Sequence, residues 1–153
     1  MCNNNQSSDG NCLSELFNII AVLQQNAVTE SGLDSCDRPM LGGSGSCIVC
    51  NTRPVMLYTC CGNGVPISMP VTKDSTCTCS NPSLDSSCAE CSNVFRVEKV
   101  EGNCCTFRVL TPNPDQSCCN NQPWLATNSF FTMNLDCCCI VRCLNDCFVD
   151  CVC

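Results

Sequence analysis

Cysteines stand side by side four times in this chain, as Cys60/Cys61, Cys104/Cys105, Cys118/Cys119 and the run Cys137/Cys138/Cys139. There are 22 of them among 153 residues, well above the level at which sulfur chemistry, as disulfide or thiolate ligand, organises a fold. Neighbouring cysteines do not readily bond to each other, because a relaxed trans peptide does not bring their Cβ atoms to the ~3.8 Å that a disulfide needs. In a strand they point to opposite faces. Where one face of a sheet is buried, one thiol of such a pair turns inward. The other turns outward, with no partner beneath it, and is suited to bonding a second molecule. On this reasoning Cys2, Cys12, Cys60, Cys61, Cys104, Cys105, Cys118, Cys119, Cys138, Cys147, Cys151 and Cys153 are candidates for disulfides between chains. Cys47, Cys50, Cys137, Cys139 and Cys143 are candidates for intrachain disulfides or core thiols.

The rival chemistry is metal binding. Cys47-x-x-Cys50 and Cys88-x-x-Cys91 have the spacing of zinc knuckles, which makes a cytosolic zinc- or thiol-binding module the competing reading. The two pairs lie far apart in the chain, however, and would leave most other cysteines without a purpose. No metal or cofactor is therefore assigned. Catalysis finds no support either. The chain has no histidine, which removes Ser-His and Cys-His nucleophiles and His-ligated metals. A redox enzyme needs its CxxC at a helix start within a βαβ unit, whereas Cys47-Ile48-Val49-Cys50 is a β-branched run. Seven basic against fourteen acidic residues give a net charge of −7, the wrong sign for nucleic acid or an anionic membrane surface. No apolar run approaches the ~18 residues of a membrane-spanning helix, so membrane insertion is not expected. Met1–Asn11 is polar and lacks Lys and Arg, so the sequence reads as carrying no export signal. A cysteine-rich chain made in a reducing compartment is then either a thiolate protein or one oxidised later.

The elements that must position these thiols read as mainly β (α+β): an antiparallel β-sandwich-like domain with one N-terminal amphipathic helix. Residues 1–12 form a polar arm. Leu13–Val28 has Leu13, Leu16, Phe17, Ile20, Leu23 and Ala27 on a helical grid and is expected to pack on its own domain. A β body spans 46–144, and the domain 13–144 is followed by a cysteine-rich tail, 145–153. Short strands are expected at 47–50, 55–60 and 66–71. A hairpin pairs Val94–Val100 with Cys104–Thr111 across a three-residue turn, Glu101-Gly102-Asn103, which sets Phe95 opposite Val109 and Val97 opposite Phe107. A two-residue turn would instead set Arg96 opposite Val109 and mix the faces. Ser129–Asp136 alternates with Phe131, Met133 and Leu135 on one side, and that parity carries Cys137 and Cys139 to the apolar face and Cys138 to the polar one. Strand is expected to about Leu144, although Cys139, Cys143, Cys147 and Cys151 recur at helical spacing. Arg53, Arg96 and Arg108 are read as pairing with acids, and Gln24, Gln25, Lys73 and Lys99 as possible isopeptide partners.

Three segments together, NTRPVMLYT at 51–59, VFRVEKVEGNCCTFRVL at 94–110 and FFTMNLDCCCIVRCL at 130–144, resemble the spore coat Y/Z family of endospore-forming bacteria, which includes the exosporium Y protein. The similarity covers about two-thirds of the chain in the same order. It implies a structural protein of the spore surface, in the exosporium basal layer, outer coat or crust. Such a protein is synthesised in the mother-cell cytoplasm and oxidised as the layer matures. It further implies homo-oligomeric rings, six-fold in symmetry, that extend into a disulfide-held two-dimensional lattice alongside other coat or exosporium proteins.

Overall fold

The computed structural model describes residues 11–28, 50–75, 79, 90–115, 122–150 and 152. Helix α1, Cys12–Val28, starts where the Asn11 side chain accepts the Leu13 N–H at 3.1 Å, the capping bond that an asparagine before a helix supplies. One face buries Phe17, Ile20, Ala21 and Gln24, at positions that helical geometry stacks in a stripe. The opposite face leaves Leu16, Ile19 and Val22 exposed. Gln24 pins the helix to the sheet: its Nε2 donates to Val97 O at 2.7 Å and its Oε1 accepts the Arg53 N–H at 3.1 Å. At 1% exposure Gln24 is closed to enzymatic cross-linking, which corrects its reading as an isopeptide partner.

Seven strands follow: β1 Val55–Thr59, β2 Met69–Pro70, β3 Cys91–Ser92, β4 Val94–Glu101, β5 Cys104–Pro112, β6 Trp124–Asn134 and β7 Cys138–Cys143. Five form one open antiparallel sheet in the order β6-β5-β4-β1-β7, and β2 and β3 make a two-residue ribbon beside it. The fold is mainly β with one N-terminal helix. The segment 138–143 is strand, because it pairs with β1 from Val55↔Cys143 to Thr59↔Cys138, so the four-residue spacing is not used by a helix there.

The β4–β5 hairpin reaches the expected register by another route. Glu101 pairs with Cys104, so the turn has two central residues, and Gly102 takes the positive φ of 58° that a turn with glycine first requires. A bulge between Val97 and Lys99 then slips the register by one and restores Phe95↔Val109 and Val97↔Phe107. The faces stay unmixed because the bulge absorbs the odd residue. Arg96 and Arg108 face each other across the strands, and the bulged Glu98 bridges both, from Oε2 to Arg96 Nη1 at 2.9 Å and from Oε1 to Arg108 Nε at 2.8 Å. Arg108 also lies over the Phe130 ring at 4.5 Å.

β6 and β7 are opposite edges of the sheet, yet only the 3₁₀ turn Leu135–Cys137 joins them. Four strand spacings in a flat sheet span about 19 Å, whereas the four steps from Asn134 to Cys138 reach ~14 Å at full extension. The sheet must curl. Within the curl Phe17, Phe95, Phe107 and Phe131 make ring contacts, among them Phe17–Phe107 at 5.3 Å and Phe95–Phe131 at 4.9 Å, and Leu57, Leu135, Cys105 and Cys138 complete this core. A second cluster on the other face holds Val94, Leu110, Cys147, Val149 and Val152. Asn51 and Thr52 clasp that tail. Asn51 Nδ2 donates to Val149 O, Asn51 Oδ1 accepts the Val149 N–H, and Thr52 and Cys147 exchange backbone bonds. Arg53 adds a two-bond ion pair to Asp146 at 2.7 and 2.8 Å.

Candidate functional site

Three asparagines draw the ends of several elements together. Asn103, in the β4–β5 turn, accepts a bond from Asn11 at the start of α1 and donates one to Asn134 at the end of β6, and its carbonyl accepts the Leu135 N–H. Ser14 Oγ donates to Gly102 O at 2.6 Å. Cys12 opens α1, Cys104 pairs opposite Asn134, and Cys137 closes the 3₁₀ turn that follows. The Cys60 N–H donates to Cys137 O at 3.3 Å, which brings Cys60 and Cys61 alongside. One pole of the molecule therefore carries Cys12, Cys61, Cys104 and Cys137, all exposed thiols outside any disulfide. Cys60 is bonded to Cys139 at the same pole, with Cα atoms 5.1 Å apart. Cys143, the remaining exposed thiol among the described residues, lies at the far end of β7 opposite Val55, about 16 Å away along the strand.

The faces of the triplet are the reverse of the expectation. The 3₁₀ turn resets the alternation, so Cys138 is buried at 6% exposure and Cys137 is outside. At Tyr58/Thr59 the register jumps from Ile140 to Cys138, leaving Cys139 as the extra residue of a bulge. A bulge re-aims its side chain, and here it delivers the Cys139 sulfur to Cys60. The Cys104/Cys105 pair follows strand alternation, Cys104 outward and Cys105 fully buried. Cys60 and Cys61 lie in the turn after β1, where alternation does not operate, and both are exposed.

Several assignments change accordingly. Cys60 has an intrachain partner. Cys105, Cys138 and Cys147 are buried where no second chain reaches them. Cys137 and Cys143, read as intrachain-disulfide or core thiols, are exposed and free. Cys50 is buried and Cys139 is in a disulfide. Cys2, Cys47, Cys118, Cys119, Cys151 and Cys153 lie outside the described residues. The paired-knuckle zinc site loses a ligand, because Cys91 is bonded to Cys79; Cys88, like Cys47, lies outside the described residues.

Burial changes the chemistry of the enclosed thiols. Burial pushes the Cys105 thiol up to about 12, with the nearby Cys138 adding to the shift. Cys147 is also pushed up to about 12, by burial first and then by Cys50 and Asp146. Burial raises Cys50 and Cys138 as well, the first with help from Asp146 and the second against backbone hydrogen bonding. The thiolate is the reactive species, so these four are inert at neutral pH. Cys143 is exposed as a residue, yet desolvation at its sulfur and the charge of Asp146 raise it against the pull of Arg53. Four of the five exposed free thiols of the described residues are gathered at the pole, with Cys143 apart from them. No signal in the sequence marks this convergence, since it depends on the Asn11–Asn103–Asn134 contacts between elements far apart in the chain.

Residues 1–125 match the family model described as Spore coat protein Z. No curated protein and no solved structure matches the chain.

Proposed function

The chain belongs to the spore coat protein Z family, whose role at the spore surface is structural, and on that premise we propose that it self-assembles into a disulfide-cross-linked two-dimensional layer. The observation that carries this reading is the pole at which Cys12, Cys61, Cys104 and Cys137 stand exposed around the Cys60–Cys139 disulfide. A single reactive point per copy would stop at dimers. An extended array needs at least two independent contacts on each copy, one of which does not close. The pole and Cys143, about 16 Å apart, supply two separate directions of attachment. Packing between copies sets the geometry and disulfides then hold it, because a subunit cannot leave without reduction. A six-fold ring that repeats into a hexagonal sheet is the arrangement that the family resemblance favours, with other coat or exosporium proteins as neighbours in the exosporium basal layer, outer coat or crust. Synthesis in the mother-cell cytoplasm followed by later oxidation accounts for reactive thiols persisting until assembly.

Assembled protein run on gels without reductant should give a ladder that collapses to monomer when reductant is added, and electron microscopy should show a periodic sheet. A monomer that persists in air, or assemblies whose gel pattern ignores reductant, would remove the cross-linked layer. Protein purified under reductant that carries about one zinc per four cysteines would favour the metal-binding alternative.

A further inference from the structure

We propose that the Cys60–Cys139 disulfide is itself the electrophile of assembly: a thiolate from the pole of a second copy attacks it, so that a cross-link forms by exchange and no external oxidant is consumed. The inference rests on the self-assembly reading and assigns the step by which it proceeds.

The disulfide is open to attack from both sides. Cys60 lies in the turn after β1 and is exposed, and Cys139 is the exposed bulge residue of β7, a strand at the edge of the sheet. Exposed thiols of the same chain surround it, Cys61 by sequence and Cys137 through the bond from Cys60 N–H. Cys61 is a poor attacker of its own neighbour, because adjacent cysteines do not reach disulfide geometry at a relaxed trans peptide. Cys138, next to Cys139, is turned into the core and kept protonated by burial, so exchange does not run inward. The exposed disulfide is equally open to a pole thiol of another copy, and peptide mapping separates that attack from exchange with Cys137 of the same chain.

The step balances without a co-reactant. The incoming thiol gives up its proton and its sulfur bonds to Cys60 or Cys139; the Cys60–Cys139 bond breaks and the released sulfur leaves as a thiolate that takes up a proton. One disulfide is lost within a chain and one is gained between chains, with no net oxidation. The released thiol is then placed to attack the same disulfide of a third copy, which propagates the cross-link.

The test uses full-length monomer, isolated with Cys60–Cys139 formed, held without oxygen at pH 8 in the presence of chelator. Cross-linking is read on non-reducing gels, free thiols are counted by maleimide labelling and mass spectrometry, and bonded peptides are mapped. The expected result is a growing ladder at a constant thiol count per chain, with Cys60–Cys139 disappearing as bonds from Cys60 or Cys139 to other copies appear. The Cys60→Ser/Cys139→Ser double variant should give no ladder without oxygen and recover one when a chemical oxidant is added. Cross-links that need oxygen, consume two thiols each and leave Cys60–Cys139 intact would overturn the exchange step while sparing the cross-linked layer. Absence of cross-links with and without oxidant would overturn both. The mapping of unmodified protein decides the matter even if the double variant fails to fold.

Discussion

Replacing Glu98 by Gln tests the account of the sheet at its most charged point. Arg96 and Arg108 face each other across β4 and β5, and the Glu98 carboxylate bridges them at 2.9 and 2.8 Å with side chains only 5%, 15% and 19% exposed for Arg96, Arg108 and Glu98. In Glu98→Gln the single carboxamide oxygen accepts from one guanidinium while its NH2 faces the other, so one ion-paired hydrogen bond weakens and the other is lost, each worth ~1.5–3 kcal/mol before the change. The two guanidinium groups also lose the charge that offsets their repulsion. Arg96 keeps its bonds to Thr52 Oγ1 and Asn51 O, which limits the damage. Removing one partner of a buried pair costs about 3–5 kcal/mol, and partial exposure with the retained bonds brings the expectation to ~3 kcal/mol. That is a large share of a total near 5–15 kcal/mol. Urea unfolding at pH 7, followed by the fluorescence of the single tryptophan, Trp124, in the second core cluster, would measure it. The exposed pair Lys99–Glu101 is the control, and Glu101→Gln should change stability by less than ~1 kcal/mol. Adding Arg108→Leu to Glu98→Gln should recover part of the loss. A Glu98→Gln cost no larger than that of the control would refute the bridging role.

Other outcomes follow from the buried and exposed thiols and from the helix contact. Brief alkylation of the native protein should label Cys12, Cys61, Cys104 and Cys137 and spare Cys105, Cys138 and Cys147, as read by peptide mass; early labelling of Cys105 would contradict its place in the core. Cys105 and Cys147 ionise near the ordinary value of 9 when unfolded but at about 12 when folded, so stability is intact below pH 9 and falls as pH rises towards 12. The slope is about 1.4 kcal/mol per pH unit for each thiol, and Cys105→Ala should reduce it by about that much in rapid unfolding measurements. Gln24→Leu leaves Val97 O and the Arg53 N–H without their side-chain partner and should cost ~1–3 kcal/mol, with faster amide exchange in α1.

Much of the β body was legible from alternation. Val94–Val100 and Cys104–Thr111 declare one apolar face each, and the pairing of Phe95 with Val109 is the solution that keeps both faces consistent. The apolar grid of Leu13–Val28 marks the helix but not its depth, because Gln24 looks solvent-facing until Val97 O and the Arg53 N–H meet it. Local parity also failed at the triplet. It counts residues along an unbroken strand, and the short link between β6 and β7 introduces a 3₁₀ turn and a bulge that change the count.

The amino-acid order by itself determined that this chain is a thiol scaffold with strands of one-sided polarity, because side-chain direction in a strand is a property of the backbone alone. Which sulfurs are sealed in and which stand at the pole was decided only by the curl of the sheet and the asparagine contacts that gather its ends. Burial and proximity belong to segments distant in sequence, and it is those two quantities that set whether a thiol can ionise and what it can reach.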